Sequence, residues 1–137
     1  MDRIEYIKGD LVVIKAEPNN FRNGIVCKFD KYTNENEALL NKANGIVRFL
    51  VKREWIAPIP LTPEILKKNG WNRTKRFLPT YRKGYLTCVC RVVESLQKPG
   101  IFSVWYGRCE YFLRHVMYVH ELQHVLFGLG LNHEMEV

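Results

Sequence analysis

Three prolines within six residues, Pro58, Pro60 and Pro63, cut this chain near its middle. Proline fixes φ and carries no amide donor, so Pro58-Ile59-Pro60 cannot run through the centre of a sheet. A sheet built by the residues upstream must end there, and a new element must begin. The next residues are a helix start: Thr62 is an N-cap, Pro63 takes the first helical position, and Glu64 places a carboxylate at the positive end of the helix. Gly70, after Lys67-Lys68-Asn69, is a stop signal, which predicts one short helix of about two turns.

Upstream of the cut, short apolar runs alternate with Gly, Asn and Pro. Strands are predicted at 11–15, 25–29 and 46–51, with a shorter one near Trp55-Ile56. The polar stretch between Asp30 and Gly45 reads as a connection in which Glu37-Ala38-Leu39-Leu40 forms a helical turn. Residues 1–58 are therefore expected to form a small curled sheet of the SH3-like kind. Downstream, strands are predicted at 76–78, 86–93, 101–106 and 109–113, separated by Gly84, Pro99-Gly100 and Gly107. A last helix starts near Met117 or Tyr118 and ends at Gly128 or Gly130. Its stripe of Tyr118, Leu122, Val125, Leu126 and Leu129 recurs at helical spacing, with His120 and His124 on the opposite, solvent side. The expected class is α+β: an SH3-like β unit, a short central helix, and over 59–137 an antiparallel sheet packed by the C-terminal helix, all in one compact fold.

The net charge is +7 and lies mostly in the second half, where eleven Lys/Arg face six Asp/Glu, against ten and eight in residues 1–60. Eight of the basic residues fall in an acid-free stretch: Lys67, Lys68, Arg73, Lys75, Arg76, Arg82, Lys83 and Arg91. Trp71, Phe77, Tyr81 and Tyr85 are interleaved with them. Cations that hold phosphates and rings that stack on bases make a nucleic-acid or other anion-binding surface, with Trp71 and Tyr81 as the stacking candidates. The competing reading turns the rings into a core and leaves the charges on a solvated face.

His120-Glu121-Leu122-Gln123-His124 matches the two ligands and general base of a zinc peptidase. A catalytic zinc needs a third ligand, and Gly130 stands where the elongated motif places it. His120 and His124 are kept as the alternative metal pair of a zinc-dependent hydrolase, and the favoured reading has no catalytic residue and no cofactor. Cys27, Cys88, Cys90 and Cys109 form no C-x-x-C pair, and no signal peptide precedes Met1-Asp2-Arg3, so reduced thiols in a cytoplasmic protein are expected. Cys88 and Cys90 would share one strand face, which with Cys109 leaves a thiol metal site conceivable. The apolar stretches are too short for a transmembrane helix, so no membrane partner is expected.

The run from Ile59 to Trp71, I-P-L-T-P-E-I-L-K-K-N-G-W, and that from Tyr118 to Phe127, Y-V-H-E-L-Q-H-V-L-F, resemble a family of small proteins found in Bacteroides-type bacteria, their prophages and mobile elements, to which no activity is attached. In that pattern the place of Glu121 varies and Asn usually stands where this chain has His124. The resemblance implies an intracellular accessory protein of a phage or mobile element. The expected function is non-enzymatic binding of nucleic acid or another anionic ligand, with a protein-protein module that inhibits or sequesters a host defence component as the alternative.

Overall fold

The structure, a computed structural model, describes residues 4–18, 21–74, 76, 78–92 and 100–137. It is an α+β fold of two five-stranded antiparallel sheets and two α-helices.

The first sheet contains β1 (Leu11–Ile14), β2 (Val26–Tyr32), β3 (Glu37–Lys42), β4 (Arg48–Lys52) and β5 (Ile56–Pro58), in the order β4-β3-β2-β1-β5. A 3-10 turn, Arg53–Trp55, joins β4 to β5. Pro58 ends an edge strand, where its missing donor costs no ladder bond. One expectation fails here: Glu37-Ala38-Leu39-Leu40 is strand rather than helix. Ala38 and Leu40, two apart, both point into the core, and Ala38 lies opposite Val51 while Leu40 lies opposite Phe49. Pairing on both sides and burial with a period of two outweigh the modest helix preference of Glu-Ala-Leu-Leu.

Helix α1 (Pro63–Lys68) is capped as its sequence requires. The Thr62 hydroxyl accepts the Ile65 amide at 3.2 Å, and Gly70 follows at φ +85°. The second sheet then runs β6 (Asn72–Arg73), β7 (Thr80–Lys83), β8 (Leu86–Val92), β9 (Ile101–Tyr106) and β10 (Tyr111–Val116), with order β10-β9-β8-β7-β6. The strand expected at 76–78 is absent at Arg76 and Leu78, while Phe77 lies outside the described residues, as do Val93 and Lys75. The pairing falls on either side instead, at β6 and β7. Helix α2 (Val119–Gly128) closes the chain's regular structure.

Two cores meet at β1. Val12 and Ile14 face the interior of the first sheet with Tyr6, Cys27, Phe29 and Leu40. Leu11, with Val13 beside it, turns the other way, into the cluster formed by the second sheet and both helices. The two-residue alternation of one strand thus joins the halves. Leu122, Val125 and Leu126 of α2 are buried there with Phe102, Val104 and Val116, and each fully buried leucine contributes roughly 1.5–3 kcal/mol. No helix among the described residues is long and apolar enough to cross a membrane.

Candidate functional site

The histidines of α2 do not face solvent. His120 is buried between Tyr6 and Tyr118, with ring centroids at 5.1 and 5.9 Å, and its Nδ1 has no hydrogen-bond partner among the described residues. Burial pushes its pKa down, while the Asp10 and Glu121 carboxylates pull the other way. His124 is half-buried, and its Nε2 lies 2.9 and 2.8 Å from the two oxygens of the buried Asp10. The expectation of an exposed polar face fails because α2 lies between two packed bodies. One side meets the second sheet; the other meets the entry to β1.

Gln123, on which sequence reasoning placed nothing, holds that second contact. Its Oε1 accepts the Leu11 amide at 2.8 Å, and its Nε2 donates to the carbonyls of Gly9 and His133 at 3.0 Å each. Glu121 is equally committed. Its Oε1 accepts the amides of Met117 and Tyr118 at 2.8 and 3.0 Å, and its Oε2 accepts from Arg114 at 2.9 Å. It caps the helix that carries it. Among the described residues, no group of three or more His, Cys, Asp or Glu side chains comes together to hold a metal ion, and Cys109 is exposed while Cys88 is buried.

The acid-free stretch is divided rather than gathered. Trp71 and Tyr81 are buried in the core at 2 % exposure each, so neither offers a ring face to a base. Tyr81 is turned inward by the alternation of β7 and Trp71 by the turn that ends α1, where its amide donates to the Leu66 carbonyl at 3.0 Å, which corrects their assignment as stacking residues. Lys68 donates to the Val137 carbonyl and Lys83 to that of Asn69, the C-cap of α1, where a cation meets the negative end of the helix. Lys67 and Arg73 are exposed beside a hollow of about 370 Å³ that Glu64 also lines. Arg76 pairs with Glu110 at 2.6 Å, Arg82 is partly exposed, and Arg91 is exposed.

Arg82 leads to a surface that the sequence did not disclose. Residues directly opposite in neighbouring strands share a face. Arg82 stands opposite Thr87, Thr87 opposite Trp105, and Trp105 opposite Phe112, which makes one row across four strands. In the next row Ser103 stands opposite His115. The other side of the sheet holds Tyr81, Cys88, Phe102 and Val104 in the core, so this row lies on the outer face, where Thr87 and Ser103 are buried and Arg82, Trp105 and Phe112 reach solvent in part. The Trp105 indole donates to the Ser103 hydroxyl at 3.0 Å, folding along its own strand. Phe112 is 47 % exposed, with its centroid 5.1 Å from Trp105 and 5.0 Å from His115. The available signal was parity: in Ile101–Tyr106, Trp105 shares a face with Ser103 and not with Phe102 and Val104.

A cleft of about 960 Å³ lies between the first sheet and residues 132–137. Lys28, Lys42 and Lys68 line it, but so do Glu134 and Glu136, and Asn69 ties across it to the Glu136 backbone in both directions at 2.7 Å. Opposed charges and an internal strap make it a poor anion site.

No protein-family model, curated protein or solved structure matches the chain.

Proposed function

We propose that this protein is a non-enzymatic binding module for an anionic partner, with nucleic acid as that partner. The carrying observation is how its charges are spent. Glu5, Glu17, Asp30, Glu110 and Glu121 are each ion-paired with an arginine, Asp10 is held by His124, and Glu35, Glu37, Glu54, Glu64, Glu134 and Glu136 make no ion pair among the described residues. Lys67, Arg73, Arg82 and Arg91 make no ion pair within 4 Å among the described residues. The excess of +7 therefore stays at the surface, where it attracts a polyanion.

The strand order β4-β3-β2-β1-β5 with a 3-10 turn before β5 supports the SH3-like reading of the first unit. Such a unit is compatible with a binding role but does not choose the ligand. The resemblance to proteins of mobile elements supports an accessory role in a phage or similar element. The hydrolase alternative is disfavoured because the would-be general base Glu121 is consumed as a helix cap and salt-bridge partner, and His124 by Asp10. A protein partner has one observation in its favour: β10 is an edge strand with Tyr111 and Leu113 exposed, open to strand addition.

Fluorescence anisotropy with labelled DNA and RNA, titrated from low to physiological salt, tests the proposal. Affinity should fall steeply with salt as counterions are released, and replacing Arg73, Arg82 and Arg91 by glutamine should flatten that slope. No binding at micromolar protein in low salt overturns it.

A further inference from the structure

We propose that the outer face of the second sheet is a stacking platform for unpaired bases, with Phe112, Trp105 and His115 as its rings and Arg82 and Arg108 as its phosphate contacts. The inference rests on the nucleic-acid reading above and goes further by fixing the strandedness of the ligand and the residues that meet it.

Three aromatic side chains from two adjacent strands touch one another on a face that the core does not use. Phe112 and His115 are exposed, and Trp105 is partly so. Burial of apolar area within this chain does not account for rings left at the surface. The three are mutually inclined, by 64° between Trp105 and Phe112 and 57° between Phe112 and His115, so their faces point in different directions. A rigid duplex, with its bases stacked inside, cannot use such a set. A single strand can splay successive bases onto inclined rings, and every base has a face to stack.

Charge complementarity specifies the ligand further. Arg82 occupies the same cross-strand row as Trp105 and Phe112, and Arg76 reaches Glu110 in the turn between β9 and β10. Arg108 is exposed in that same turn. Glu110 is the one acid there, and it is already neutralised by Arg76. Aromatic faces flanked by arginines along a sheet are the requirement for gripping both parts of a nucleotide.

The test compares a labelled single strand of about a dozen nucleotides, within the usual site size of such surfaces, with the same sequence as a duplex. The single strand should bind more tightly and quench tryptophan fluorescence, with the quenching lost in Trp105→Phe. Phe112→Ala should weaken single-strand binding on the order of tenfold to a hundredfold, the loss of one or two stacked bases, and leave duplex binding unchanged. Tyr111→Ala serves as the control, because Tyr111 is exposed opposite Tyr106 on the other face of the same strand. Thermal melting checks that each variant folds. If duplex and single strand bind equally and Phe112→Ala affects neither, the platform is wrong while the nucleic-acid reading stands. If Tyr111→Ala weakens binding and Phe112→Ala does not, the contact face is the opposite one and the platform is again wrong. If neither form binds, both readings fall, and the rings are left to a protein partner.

Discussion

Gln123→Leu should be among the most damaging single substitutions in the chain. Leucine matches glutamine closely in volume and keeps the helix, so the change removes hydrogen bonds and little else. It leaves the Leu11 amide and the Gly9 and His133 carbonyls without their partner. A net hydrogen bond contributes roughly 1 kcal/mol, and a buried donor left orphaned costs about 1–3 kcal/mol. The Leu11 bond is buried while the other two are partly so, which sets the expected loss at about 3–5 kcal/mol. For a chain of this length that lowers the melting temperature by roughly 10–15 °C. Urea unfolding followed by tryptophan fluorescence should give a lower midpoint with an unchanged slope, since the same surface is exposed on unfolding. A loss below about 1 kcal/mol would refute the reasoning, because it would mean that the strand entry and the tail find water or each other without the amide.

Leu122→Ala, which empties a fully buried site between α2 and the second sheet, should cost about 2–5 kcal/mol by denaturant unfolding, and an unmoved midpoint would contradict this packing. Stability should decline on acidification through His120: burial lowers its folded pKa below the ordinary value of about 6.5, so its contribution is complete above that pH and is lost as the pH falls below it. A His120→Phe variant whose melting temperature keeps the same acid limb would assign that limb elsewhere. Purified protein should carry less than stoichiometric zinc, and EDTA should leave its melting temperature unchanged; one zinc per chain, lost in His120→Ala, would reopen the hydrolase reading. Under native conditions Ellman's reagent should titrate the exposed Cys109 first and leave Cys27, whose thiol burial pushes up to about 11, and Cys88 for unfolding. Rapid loss of all four thiols would show that the two buried sites open readily.

Local chemistry was legible where it acts within a few residues. Thr62-Pro63-Glu64 and Gly70 bound a helix because cap, proline and left-handed stop need no distant partner. Ile101–Tyr106 was readable from its apolar run and its flanking glycines. Glu37-Ala38-Leu39-Leu40 was misread because its conformation is set by pairing with β2 and β4 on either side, which the helix preference of the four residues alone does not reveal. Trp71 and Tyr81 lie in the core for a related reason: a ring in a basic stretch reads the same whether the backbone turns it in or out. The row from Arg82 to Phe112 was invisible, since its four members span thirty residues and meet only through the register of three strand pairs.

The position of α2 gives both of its histidines packing or hydrogen-bonding partners within the fold. A helix packed on one sheet needs one apolar stripe, and its other side can be fully solvated. This helix meets a second body on that other side, the entry to β1, where backbone groups of Gly9 and Leu11 and the carboxylate of Asp10 lie with little access to water. Buried polar groups of that kind need partners, so the second stripe has to be polar yet shielded. Gln123 supplies an acceptor and two donors, His124 supplies a ring N–H to Asp10, and His120 fills the aromatic gap between Tyr6 and Tyr118. Glu121, one turn from the helix start, falls on the orphan amides of the cap. An amide at position 124 would still donate to Asp10, whereas a zinc site of this type would not tolerate one. Each polar side chain of the pentapeptide thus has a partner or a packing role in a helix held between two bodies, with no metal needed to place it.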